Sequence, residues 1–186
     1  IGHLFGASGG GGNAGCIGCV CVNPTVQTPL GKGSGYTSPA NGVPSGDAFD
    51  IDYVAHEMGH QFGGFHTQSS SNCRSGSGTT EVEPGSGSTI MAYAGICSAN
   101  VQSNSDSYFG YVNIRDIMEN VKFGISQPTL PITNLTNNPP TANAGRDYVI
   151  PKSTAFMLVG QGSDPEGDDG AVRRAGCQHH RDAALR

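Results

Sequence analysis

The sequence predicts an α+β protein, and three observations carry that prediction. A helical repeat of apolar residues surrounds closely spaced histidines in residues 47–62. A second helical repeat runs through residues 108–123. Long glycine-, proline- and serine-rich stretches separate and precede these repeats, leaving room for short strands only.

Ile1-Gly2-His3-Leu4-Phe5 alternates apolar with small or polar residues, which suits a short strand. His3 then reads as a strand side chain and not as a metal ligand. Gly9-Gly10-Gly11-Gly12 has no preceding buried strand, no lysine at a fixed distance and no following helix. A phosphate cradle needs all three, so the run is expected to be a flexible or bulged loop. Residues 22–46 read as irregular structure with one short strand. A helix begins near Gly46 or Asp47, with Asp47 as the expected N-cap and Asp50 placed to favour the helix dipole. Phe49, Tyr53, His56 and His60 share one stripe. Ile51, Val54, Ala55, Met58 and Phe62 share another, which is expected to face the core. The helix should stop at Gly63.

Residues 67–88 are polar and glycine-rich, and are expected to form a long surface loop that needs an anchor. Tyr111, Ile114, Ile117, Met118 and Val121 mark the apolar face of a closing helix over residues 108–123, packed behind the first. From 127 to 140 the composition shifts to Pro, Thr and Asn, which marks a linker. Beyond it, strands are expected near 148–150 and 155–159.

Charge narrows the partners. The formal net charge is −5, and four Lys/Arg stand against nine Asp/Glu before residue 129, with six against six after it. There is no basic patch, so nucleic acid is not an expected partner. No run of 18 apolar residues exists, so no membrane span is expected.

The densest chemistry lies in His56-Glu57-Met58-Gly59-His60-Gln61-Phe62-Gly63-Gly64-Phe65-His66. Positions four apart share a helix face, so His56 and His60 can grip one ion. Glu57 follows the first ligand, where its carboxylate can reach a water on that ion. Gly63 lets the backbone leave the helix in a conformation closed to residues with a β-carbon, which brings His66 round as a third ligand. Three protein ligands leave the fourth position of a zinc ion open, the mark of a catalytic site. Ser88-Thr89-Ile90-Met91-Ala92-Tyr93 follows, with Met91 25 residues after His66. A long zinc motif followed by a methionine-bearing turn is the metzincin signature.

On these motifs, residues 1–123 resemble a metzincin zinc metalloendopeptidase, closest to the reprolysin-like (adamalysin-type) branch in a secreted bacterial version. Thr67 stands where reprolysins usually carry an aspartate. The resemblance implies a zincin-like catalytic domain over 1–126 that lacks the family's N-terminal strands and helices. It implies one catalytic Zn²⁺ on His56, His60 and His66, with Glu57 as general base, and a protein or peptide substrate cut by a monomeric, extracellular enzyme. Gly2, His3 and Leu4 would form the strand edging the cleft, pairing with extended substrate. Met91 would lie beneath the ligands as an apolar floor, and Ala94, Gly95 and Ile96 would form one wall of a substrate pocket. Tyr93 is a candidate oxyanion donor or fifth ligand, or else a packed wall residue. The alternative class is a noncatalytic zinc-binding fragment with an adhesion role.

Cys73 and Cys97 bracket the methionine turn and are expected to pair. Cys16-x-x-Cys19-x-Cys21 reads either as disulfide partners or buried thiols, or as part of a metal site. No second cysteine pair lies at ligand spacing, which favours the former. Residues 139–145 and 163–168 resemble the start of a PKD or immunoglobulin-like β-sandwich. Such a module needs about seven strands, so residues 141–186 are expected to be a truncated one. Asp164, Glu166 and Asp168 could bind Ca²⁺ or form a solvated loop.

Overall fold

A computed structural model describes residues 1–73, 79–127, 133 and 136–167, and the backbone of 175–177. The chain divides into two compact units, Ile1–Pro131 and Ile132–Arg186. The first is a small mixed α/β unit.

Its sheet has three short strands: β1 (His3–Phe5), β2 (Gly11–Asn13) and β3 (Gly35–Ser38), in the order β1-β3-β2. β1 runs parallel to β3, and β2 runs antiparallel to it. The glycine run expected as a loop therefore enters the sheet, with Gly11 paired to Ser38 and Gly12 to Thr37. Glycine has no side chain to pack, but its amide and carbonyl still complete a ladder, and β3 supplies the partner.

The helix carrying the histidines is wound in two ways. Residues Ala48–Ala55 form π-helical turns, and α1 (His56–Phe62) continues from them, with Ala55 and His56 both in right-handed helical conformation. Asp47 makes no side-chain cap hydrogen bond, contrary to expectation. The burial of the two stripes is also reversed. His56, Glu57, Gly59, His60 and Gln61 are buried, whereas Met58 and Phe62 are half-buried. The wider π turns advance each residue by less than an α turn does, so a 3.6-residue repeat counted across the junction assigns the wrong face.

α1 ends where the glycines stand. Gly63 has φ 118°, a left-handed conformation that costs a residue with a β-carbon about 1–2 kcal/mol. Its N–H donates to the carbonyl of His60, and the N–H of Gly64 donates to that of Gly59, at 2.9 and 2.8 Å. This is the Schellman closure of a helix end.

α2 (Tyr111–Phe123) starts after Gly110, three residues later than expected. Only part of its apolar stripe faces inward: Ile117 and Val121 are half-buried, whereas Tyr111 is 77 % exposed and Ile114 and Met118 are exposed as well. The helix also docks through amides. Asn113 Nδ2 donates to the carbonyl of Phe65 at 2.7 Å, and Asn120 Nδ2 donates to the carbonyls of Phe62 and Gly18 at 2.8 and 3.0 Å. The left-handed turn after α1 leaves carbonyls that must find donors, and these asparagines supply them.

Residues 67–88 are not a surface loop where described. Thr67, Gln68, Ser70, Thr80 and Ser86 are buried, and Gln68 bridges Glu83 in parallel. Small hydroxyl residues can be buried here because the backbone is paired, as in Ser69 N–H to Glu83 O at 2.9 Å and Ser70 N–H to Gly85 O at 3.0 Å. Cys73 and Cys97 stand at disulfide distance, with Cα atoms 5.7 Å apart, and close this segment. Among the described residues, Cys16 and Cys19 form a second such pair, with Cα atoms 5.6 Å apart, while Cys21 is a free, exposed thiol.

In the second unit, β4 (Thr141–Asn143) pairs antiparallel with β6 (Gln161–Ser163), and β5 (Phe156–Leu158) with β7 (Ala175–Cys177). The strand expected near 148–150 is not formed. None of the residues of this unit whose burial is described is buried. Of the residues considered for calcium, Asp168 lies outside the described residues. Glu166 accepts from Asn138 Nδ2 at 2.6 Å, and Asp164 accepts from the backbone N–H of Glu166 at 2.9 Å.

Candidate metal centre

α1 presents His56 and His60 one turn apart, and the chain that turns back at Gly63 and Gly64 delivers His66 to them. The Nε2 atom of His66 lies 3.1 Å from that of His56 and 2.9 Å from that of His60. Among the described residues, this is the group of His, Cys, Asp and Glu side chains that could share one ion, its ligand atoms all within 4.8 Å of one another. Two nitrogens bound to one zinc at about 2.0–2.1 Å with tetrahedral angles sit about 3.3–3.4 Å apart. The observed spacings approach that edge.

The tautomers also suit a cation. His56 Nδ1 faces the carbonyl of Ile90 at 2.7 Å, and His60 Nδ1 faces that of Gly64 at 2.7 Å. A carbonyl only accepts, so each Nδ1 carries the proton and each Nε2 keeps a free lone pair. Burial pushes the His56 imidazole down to about 4 and the His60 imidazole down to about 3, with His66 beside both of them adding to the effect and His56 adding at His60. Two buried neutral imidazoles whose Nε2 lone pairs face the Nε2 of a third histidine fit a divalent metal ion.

Met91 is fully buried, at 0 % exposure, against α1. Gly59 admits it: a β-carbon there would stand 2.4 Å from the Met91 sulfur. Ile90 and Met91 are therefore tied to the centre by a hydrogen bond to His56 and by packing against α1. Tyr93 follows with its ring 4.5 Å from that of His66 and 5.8 Å from that of His56, centre to centre.

Glu57 faces strand β2 of the sheet. Burial raises its carboxyl to about 7. It lines an open pocket of about 280 Å³ together with His60, His66, Tyr93, Phe65 and residues 12–17. Strand β2 approaches so closely that a β-carbon on Gly12 would meet the Glu57 side chain at 2.5 Å.

Other expected site residues fall elsewhere. His3 and Leu4 belong to β1, and Gly2 directly precedes it, at the far edge of the sheet, because β3 lies between β1 and the pocket strand β2. His3 packs inward: its Nδ1 meets Gln61 Oε1 at 2.7 Å and its Nε2 meets Thr37 Oγ1 at 3.2 Å. His3 and Gln61 thus brace α1 against the sheet. Ala94 is buried, while Gly95 and the 72 %-exposed Ile96 face solvent, and none of the three borders the pocket holding Glu57. Phe65 and Tyr93 take that place. The sequence carried no local signal for Gly12 or Phe65 as lining residues, since both reach the pocket through tertiary folding.

The comparison with protein families matches residues 1–121 to the metallo-peptidase family M12B, reprolysin-like. The chain belongs to that family. No curated protein and no solved structure matched it. Among the described residues, no helix is long and apolar enough to cross a membrane.

Proposed function

We propose that this chain is a secreted zinc endopeptidase that hydrolyses peptide bonds in extracellular proteins. One observation carries the reading: three imidazole nitrogens converge, and two of these histidines, His60 and His66, line the pocket that also holds a buried carboxylate. His56, His60 and His66 would hold the metal through Nε2. When bound there, zinc acidifies a water molecule and polarises the scissile carbonyl. Glu57 accepts the proton of the attacking water and passes it to the leaving amine. A carboxyl raised to about 7 is well matched to both halves of that transfer at neutral pH.

β2 is the strand placed to hold substrate. Among the described residues it pairs only with β3, so its outer edge can receive an extended peptide over Glu57. Tyr93 turns its ring toward His66 and is the nearest aromatic candidate to donate to the developing oxyanion. The paired cysteines suit an oxidising compartment outside the cell.

The test is Glu57→Gln. Purified variant and parent should each hold about one zinc per chain, while cleavage of an unfolded protein substrate falls by about 10²–10⁴-fold. Undiminished cleavage would refute Glu57 as the base. Zinc-loaded parent that cleaves nothing would favour the binding-only alternative.

A further inference from the structure

We propose that Glu83 is a positioning residue for the metal ligands, a carboxylate clamp that fixes the turn before Met91 and, through it, the ring of His56. The inference rests on the reading of His56, His60 and His66 as a metal centre. Glu83 Oε2 accepts from the backbone N–H groups of Ser88 and Thr89, at 2.8 and 3.1 Å. Its Oε1 accepts from the hydroxyl of Thr89. Three donors converge on one carboxylate, which offers about four acceptor sites and no donor. The next residue is Ile90, whose carbonyl receives His56 Nδ1–H at 2.7 Å. The path from Glu83 to the imidazole is thus two hydrogen-bonded steps joined by one residue of backbone.

The main chain of Glu83 closes the same ring from the other side. Its N–H donates to the carbonyl of Thr67 at 2.8 Å, and the N–H of Thr67 donates to the carbonyl of Met91 at 3.2 Å. Its carbonyl accepts from both the N–H and the hydroxyl of Ser69, at 2.9 and 2.8 Å. Thr67 directly follows His66. One residue therefore holds the segment behind His66 with its backbone and the segment ahead of Ile90 with its side chain. A metal-ligating histidine depends on the acceptor opposite its free N–H for ring orientation and tautomer. If the Ile90 carbonyl drifts, the His56 ring turns and its Nε2 leaves the trio.

The isosteric change Glu83→Gln is a sharp probe. The amide keeps one acceptor oxygen but places an N–H₂ donor where a carboxylate oxygen met other donors. Zinc affinity is measured by competition with a chromophoric chelator, well below the melting temperature of each metal-free protein, so that global stability does not enter. The zinc Kd should rise about 10–100-fold. The visible absorption bands of the Co²⁺-substituted protein should shift as the ligand geometry relaxes. Thr89→Val, which removes one donor and keeps both backbone bonds, should show a smaller rise in Kd, and Thr89→Ser should restore the parent value. Unchanged Kd and Co²⁺ spectrum in folded Glu83→Gln overturn the proposal. If Glu83→Gln does not fold, the valine and serine variants decide, and equal affinities there overturn it too. A parent chain that binds no zinc instead sinks the metal-centre reading beneath it.

Discussion

Thr67 is fully buried, and its hydroxyl has no hydrogen-bond partner among the described residues. A buried hydroxyl without a partner costs about 1–3 kcal/mol of desolvation. Thr67→Val keeps the shape and removes that cost, so we expect the variant to be as stable as the parent or up to about 1–2 kcal/mol more stable. Urea unfolding of both proteins checks this, and a clear loss of stability would mean the hydroxyl has a role. At this scale the sequence was readable wherever chemistry follows local spacing. His56 and His60 lie one helical turn apart, Glu57 follows the first ligand, and Gly63 returns the chain to bring His66, all within eleven residues. Glu83 and Gly12 act on the same site from far along the chain, through turn closure and strand approach. No periodicity announces such contacts.

Elements were legible in kind and less so in arrangement. The sequence predicts a strand at residues 1–5 and one strand between 22 and 46, and both form as β1 and β3. Which of them edges the pocket depends on strand order, and β3 inserts between β1 and β2. A pairing partner cannot be inferred from alternation alone, because alternation records which face is buried and not which neighbour lies alongside. α2 shows the matching limit for helices: its apolar count points to one face, only part of which turns inward, while Asn113 and Asn120 dock the helix by capping carbonyls around the end of α1. That junction yields a prediction. Gly63→Ala must place a β-carbon at φ 118° and 3.1 Å from the Asn120 side chain. Strain of about 1–2 kcal/mol from the left-handed backbone sets the minimum cost, and displacement of α2 adds to it. We expect a lower melting temperature together with weaker zinc binding, because the turn that aims His66 is the one disturbed. A variant with parental stability and affinity would show that the turn relaxes freely.

For the molecule as a whole, the centre couples folding to acidity. Three ionisable groups of the metal pocket are buried in forms that an unfolded chain would not keep. His56 and His60 have folded values lowered from 6.5 to about 4 and about 3, so the stability linked to their neutrality is complete above pH 6.5. It drains away as pH falls, because the unfolded chain takes up protons that the folded chain refuses. Glu57 works in the opposite sense. Its folded value is raised from 4.5 to about 7, so between those limits the folded chain holds a proton that the unfolded chain has lost. From pH 6.5 to 4.5 the unfolded chain thus binds two protons at these histidines and the folded chain one at Glu57. One uncompensated proton corresponds to a loss of about 1.4 kcal/mol per pH unit. Below 4.5 the Glu57 offset fades, but His56 begins to protonate in the fold over the same range, so the slope does not steepen and then lessens. By pH 4.5 the loss amounts to about 3 kcal/mol, a large share of the about 5–15 kcal/mol that holds a small domain, so the metal-free chain should be markedly less stable in mild acid. Zinc bound to neutral imidazoles opposes their protonation, and the loaded protein should survive to lower pH than the chelated one. Urea titrations at pH 7, 5.5 and 4.5, with and without chelator, measure both effects. Metal-free stability that holds level or rises between pH 6.5 and 4.5 would mean that His56 and His60 are not buried as neutral imidazoles, against the geometry of the metal centre.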